Sequence, residues 1–197
     1  MSDSRRFADS GATLGDFEKH FVVHCPRCEG KALVRADDHR LTCLACFHTE
    51  NPGRWYGTAR LVVRRRCPEC GRQGMSVFET DRIVLQISVK CDNCGDERNY
   101  ATSVTHLPFS QGWKTDPVFG CRLWLQTNFR EHLLWAYNYE HLAYLRNFVQ
   151  AKLRERGIEP RNTIRKNSSM VSRLPVFLKK AGYRDELTAL IDNLEKK

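Results

Sequence analysis

A chain of 197 residues has room for one sizeable domain or two or three small ones, and 41% apolar with 28% charged residues is the make-up of a soluble globular protein. Its apolar runs are only a few residues long, too short for a membrane-spanning helix. The formal charge of +9 admits a nucleic-acid partner, but its meaning depends on where along the chain the charge lies.

Residues 1–21, "MSDSRRFADSGATLGDFEKHF", have no apolar stretch behind their two arginines of the kind a secretory signal requires. They read as a flexible polar lead, and the protein is expected to be cytoplasmic. Thiols stay reduced in that compartment, which turns the nine cysteines toward metal rather than disulfides. Eight of them form four Cys-x-x-Cys pairs: Cys25/Cys28, Cys43/Cys46, Cys67/Cys70 and Cys91/Cys94. Such a pair on a tight turn supplies half of a tetrahedral shell, so two pairs close one zinc site with no position left for chemistry. Two zinc ions per chain are expected. A thioredoxin-like redox site would instead want a single motif at a helix start. His24 and His48 adjoin ligand cysteines but are not needed, and Cys121, standing alone, reads as a small buried apolar residue.

The first ribbon is expected over 22–50 and the second over 65–100, with 51–64 as linker and strand. Fourteen residues separate Cys28 from Cys43 and 20 separate Cys70 from Cys91, each gap suited to one β-hairpin. "KALVRADDHRLTC" gives strand, turn at Ala36-Asp37-Asp38, and return strand. In "SVFETDRIVLQISVKC", Ile83, Leu85, Ile87 and Val89 alternate with more polar neighbours through the return strand. Gly71 and Gly95 follow the last cysteine of their knuckles, where a left-handed backbone is cheap for glycine.

With these motifs the chain resembles the transcription factor IIB-type zinc ribbons, "CPRCEGKALVRADDHRLTCLACFHTE" being the closer match and "CPECGRQG…KCDNCGDE" a longer version. The resemblance covers roughly half the chain and departs at Phe47, which stands where the usual knuckle glycine would be. It implies three-stranded, metal-held modules of a kind used against nucleic acid or inside transcription machinery. Such modules are too small to fold without metal, and structural zinc supplies an apparent stabilisation of about 10–16 kcal/mol.

Eight thiolates and two zinc ions change the net charge from +9 to about +5. The excess is C-terminal: 152–184 holds 10 basic residues against Glu155 and Glu159. Lys152, Arg154, Arg156, Arg161, Arg165, Lys166, Arg173, Lys179 and Lys180 are therefore the candidate phosphate contacts. In the triplet Arg64-Arg65-Arg66, alternation lets Arg64 and Arg66 share a face, and the reading favoured for them is to offset the anionic metal cluster beside them.

Residues 101–138 are expected to form a third, metal-free hairpin, "CRLWLQTNF" and "LLWAYN" flanking Arg130-Glu131-His132 after the "DPVFG" turn. Residues 139–197 read as a basic helical region of about three helices. One runs from about 139 to 156 with Asn138 as N-cap and Lys152, Arg154 and Arg156 in its last turn. A second is capped by Ser172 and carries Leu174, Phe177, Leu178 and Ala181. A third opens at Asp185 with Leu187, Leu190, Ile191 and Leu194. As a helix-turn-helix the last pair would present Asp185, Glu186, Asp192 and Glu195 to phosphate, which argues for a plain helical hairpin. The dense aromatics are expected mostly in the seam between hairpins rather than as base-stacking platforms.

The fold class is thus α+β, small and metal-stabilised. No His-Glu-x-x-His, phosphate loop or deaminase pattern is present, so no catalytic residue, no small-molecule substrate and no enzyme activity are expected. The leading reading is a non-enzymatic zinc protein that binds DNA or RNA through its basic C-terminal segment as an accessory factor. The alternative is a protein–protein adaptor within a larger assembly.

Overall fold

The computed structural model describes residues 6–155 and 169–197. It is mixed α+β and divides into two compact units, one made of Met1–Glu50 with Leu123–Lys197 and the other of Asn51–Arg122. Among the described residues no helix is long and apolar enough to cross a membrane.

The N-terminal part of the first unit holds β1 (Arg6–Ala8), β2 (His20–His24), β3 (Lys31–Arg35), β4 (Arg40–Cys43) and β5 (Thr49–Glu50). The last four pair antiparallel in the order β2-β3-β4-β5. Register aligns Phe21, Val34 and Leu41 in one row and Val23, Ala32 and Cys43 in another. All six are buried, so the period-two face that forms the sheet also delivers a cysteine to its end. The free edge of β2 is sewn to later chain: the Val22 N–H donates to the Tyr137 carbonyl at 2.8 Å, and the Trp124 N–H donates back to the Val22 carbonyl at 2.9 Å.

In the second unit come β6 (Ala59–Arg66), β7 (Gln73–Thr80), β8 (Gln86–Lys90), β9 (Glu97–Ala101), β10 (Ser103–His106), β11 (Phe109–Ser110) and β12 (Trp113–Lys114). They form a sheet β10-β6-β7 and the pairs β8-β9 and β11-β12. The expected hairpin between Cys70 and Cys91 is not what forms. The strand β7 pairs with β6 over its whole length, β8 pairs with β9, and Ile83 and Leu85 lie exposed in the connection between β7 and β8. No residue of β7 is buried, so no packing draws β8 alongside it. The "DPVFG" turn is held by the buried Asp116 carboxylate, which accepts the N–H groups of Val118, Phe119 and Cys121 at 2.7–2.9 Å.

The chain then returns to the first unit with β13 (Gln126–Phe129), β14 (His132–Trp135), α1 (Tyr139–Gln150), β15 (Leu153–Glu155), α2 (Met170–Arg173), α3 (Val176–Lys179) and α4 (Arg184–Glu195). The strands β13 and β14 pair as a hairpin, with Arg130 left-handed in its turn. The N-cap is as expected: Asn138 Oδ1 accepts the His141 N–H at 2.9 Å, while its Nδ2 donates to the carbonyls of Phe17 and His20. The C-terminus of α1 is not. The helix stops at Gln150, and its last carbonyls are met by Arg184, which donates to Val149 and Ala151, instead of by Lys152, Arg154 and Arg156.

Two further differences have plain causes. The helix expected from Ser172 through Ala181 is broken into α2 and α3 because Pro175 lacks an N–H and drives Leu174 to an extended ψ of 138°. Within the N-terminal stretch expected as a lead, Arg6–Ala8 pair in parallel with β15, and Phe7 is buried edge-on between Tyr144 and Phe148. One apolar core results, joining Leu125, Phe129 and Leu134 of the hairpin region to Leu142, Leu145 and Phe148 of α1 and to Leu187, Ile191 and Leu194 of α4.

Candidate metal centres

Each Cys-x-x-Cys pair occupies the turn of a hairpin: β2-β3, β4-β5, β6-β7 and β8-β9. The turns share one backbone design. The N–H of the first cysteine donates to the carbonyl five residues on: Cys25 to Gly30, Cys43 to His48, Cys67 to Arg72 and Cys91 to Asp96, at 2.7–2.8 Å. The residue after the second cysteine is left-handed in all four, with φ of 60° at Glu29, 58° at Phe47, 72° at Gly71 and 79° at Gly95. Two of these positions are therefore filled by residues for which the conformation is strained.

The eight cysteines come together as two groups, Cys25/Cys28/Cys43/Cys46 in the first unit and Cys67/Cys70/Cys91/Cys94 in the second, with all sulfurs of a group within 4.8 Å of one another. Sγ–Sγ separations include 3.8 Å for Cys25–Cys46, 3.5 Å for Cys28–Cys43, 3.6 Å for Cys67–Cys94 and 3.7 Å for Cys70–Cys91. A regular tetrahedron with Zn–S bonds of about 2.3 Å has sulfurs about 3.8 Å apart. Each group could hold a metal ion, and the fit is to a four-thiolate zinc. The first cysteine of each knuckle is buried, and of the second ones Cys28, Cys70 and Cys94 are exposed, so each centre sits at the rim of its unit.

The electrostatics suit thiolate ligands. Burial raises the Cys43 thiol, but the N–H groups of Cys46 and Ala45 outweigh it and bring it down to about 6. The Arg72 amide and the Asn93 side chain hold Cys70 down at about 6. The Gly30 amide lowers Cys28, yet the sulfurs of Cys46 and Cys43 push it up to about 12. Some sulfurs thus ionise readily while others resist, and a divalent cation among them removes that resistance.

Neither His24 nor His48 belongs to a ligand group; His24 lies against Glu29 and over Trp124, and His48 lies 3.6 Å from Glu50. Cys121 is buried, as expected, and its N–H is one of the donors to Asp116.

The arginine triplet divides. Ala59, Leu61, Val63 and Arg65 share the inner face of β6, and Arg65 reaches from it with Nη1 on Ser76 Oγ at 2.7 Å and Nη2 on the Lys90 carbonyl at 3.4 Å. The same Nη2 lies 3.7 Å from the Asp92 carboxylate inside the fourth knuckle. Offsetting charge beside the second centre therefore falls to Arg65, not to Arg64 and Arg66. Those two are exposed on the opposite face, and their side chains bond to no described residue. Parity was the signal for this, since Arg65 is two residues beyond Val63.

Of the candidate phosphate contacts, Lys152, Arg173 and Lys180 are exposed, and Lys179 is half-buried with its Nζ donating to the Ser172 carbonyl. Arg154 contributes backbone to β15, while Arg156, Arg161, Arg165 and Lys166 lie outside the described residues. No protein-family model, curated protein or solved structure matches this chain.

Proposed function

We propose that this is a non-enzymatic zinc protein of the tandem-ribbon kind that binds nucleic acid, with two structural zinc ions and the basic segment Lys152–Arg184 on phosphate. The observation that carries the reading is how the neighbouring acids are used. Glu186 pairs with Arg130, and Asp192 and Glu195 both pair with Arg146. The acids of α4 that would repel phosphate are thus largely neutralised locally, while Lys152 and Arg173 have no acidic partner among the described residues. The charge of those two residues is left uncancelled, and uncancelled basic residues are the electrostatic footprint of backbone contact. Measuring binding to a short DNA and an RNA of the same sequence across a salt series tests it. Affinity that falls linearly with the logarithm of salt supports the proposal, and salt-independent or absent binding defeats it.

A second reading, docking onto a protein partner, rests on β7. It is an eight-residue edge strand whose outward residues include Met75, 63% exposed, and Val77, 49% exposed, and Leu85 beyond it is 74% exposed. Edge strands of this type accept an added strand from another chain. A stoichiometric protein partner retained after nuclease treatment, and released by Val77→Lys, would favour that reading.

A further inference from the structure

The first unit contains a cavity of about 150 Å³ between α1, β14 and the α2–α3 segment. Leu145, Met170, Leu174 and Phe177 are among its walls, Trp135 lines it as well, and the ionisable side chains in its lining are His141 and Arg173. An apolar cavity of this volume takes a group of about benzene size.

His141 is 2% exposed and stacks on Phe17. Its Nδ1 accepts the Tyr137 N–H at 3.2 Å, which puts the proton of the neutral ring on Nε2. Burial lowers this imidazole to about 4, so the ring is neutral at pH 7. No described residue accepts from Nε2, and that nitrogen is not sealed in the protein interior. A buried ring with one nitrogen committed to the backbone and the other bare of partners, lining an apolar cavity, is a donor held ready for a ligand. Arg173 is exposed and has no partner among the described residues, so its guanidinium is available at the same cavity to an anion.

We propose that this cavity is a binding site for a small carboxylic acid with a compact aromatic or branched apolar tail. The tail fills the space between Leu145, Leu174 and Phe177, and the carboxylate is met by Arg173 and by the His141 Nε2–H. This assigns Arg173 to a ligand site of the first unit, independent of any phosphate contact.

The test uses the full zinc-loaded protein, with phenylacetate as probe and 2-phenylethanol as its uncharged counterpart. Binding is followed by calorimetry and by the ¹⁵N shifts of the His141 ring. Phenylacetate should bind with Kd on the order of 1 mM or tighter, and the alcohol about tenfold more weakly. Arg173→Gln, an exposed change that leaves the core intact, should weaken phenylacetate about tenfold and leave the alcohol unchanged. Leu174→Phe, which fills the cavity, should abolish both; if that variant unfolds, Arg173→Gln with the alcohol control decides alone. Equal affinity for acid and alcohol, an acid affinity unmoved by Arg173→Gln, or no shift at His141 at millimolar phenylacetate would overturn the proposal.

Discussion

The guanidinium of Arg65, only 6% exposed, lies 3.7 Å from the carboxylate of Asp92 in the fourth cysteine knuckle. With its bonds to Ser76 and the Lys90 carbonyl, this side chain ties the β6-β7 hairpin to the β8-β9 hairpin, which share no β7-β8 ladder. The second cysteine group takes two sulfurs from each hairpin, so Arg65 is a protein-made link parallel to the one a metal ion would supply there.

Replacing Arg65 by Ala should therefore destabilise the second unit by about 1–3 kcal/mol, through two missing hydrogen bonds and the cavity left by its stem. The ion pair itself contributes little, because Asp92 is 82% exposed. Arg64→Ala should stay within about 0.5 kcal/mol of wild type. Urea unfolding and the rate of metal loss to a chelator would check both, with Arg65→Ala releasing metal faster.

The knuckle at Phe47 carries avoidable strain. A non-glycine residue at φ 58° costs about 1–2 kcal/mol relative to a relaxed backbone, and the ring recovers little because it is 82% exposed. Phe47→Gly should raise stability by about 1 kcal/mol, and Gly71→Ala, at φ 72°, should lower it by a similar amount. Thermal unfolding of the zinc-loaded variants reads the two opposite signs.

Asp116 sets a pH dependence. Burial raises its carboxyl to about 6 against an ordinary 3.8, although three N–H groups pull the other way. Because the folded value is the higher one, the acid's stabilising contribution is fully present below about 3.8 and is lost as pH rises through about 6. Stability of wild type minus that of Asp116→Asn should fall by up to about 3 kcal/mol between those limits and level off above. Both proteins share the acid sensitivity of the metal sites, so the difference isolates Asp116. A difference that rises with pH would show that the N–H donors outweigh burial.

Two basic clusters can be separated by mutation. Arg161, Arg165 and Lys166 changed together to Ala should weaken nucleic-acid binding and lower the salt slope by about 0.7–0.9 for each phosphate no longer neutralised. Arg64 and Arg66, exposed and without partners among the described residues, are the competing surface. If the weakening follows their replacement instead, the phosphate surface lies on β6.

The parts legible in the sequence were those governed by short-range chemistry. Cys-x-x-Cys spacing identified both ligand groups, Asn138 declared its cap, and Leu187, Leu190, Ile191 and Leu194 drew α4 at helical spacing. What escaped depends on partners distant in sequence. Alternation at Ile83, Leu85, Ile87 and Val89 is real, but a strand extends only where a neighbour supplies a ladder, and β8 begins at Gln86 beside β9. Phe7 finds its place only through β15, nearly 150 residues on, and Arg184 caps α1 from the start of α4. Pro175 is a local signal of the break between α2 and α3, masked because the apolar spacing of Leu174, Phe177 and Leu178 imitates one helix across it.

The central claim, that two closed four-sulfur zinc centres hold this fold together, is tested most directly by native mass spectrometry of the intact folded protein under thiol alkylation. Each four-cysteine group should carry one zinc, giving two per chain, with all eight ligand thiols protected until a chelator is added and structure then lost around both centres. Fully folded protein with one zinc or none, or with those thiols alkylated while the fold persists, would contradict it.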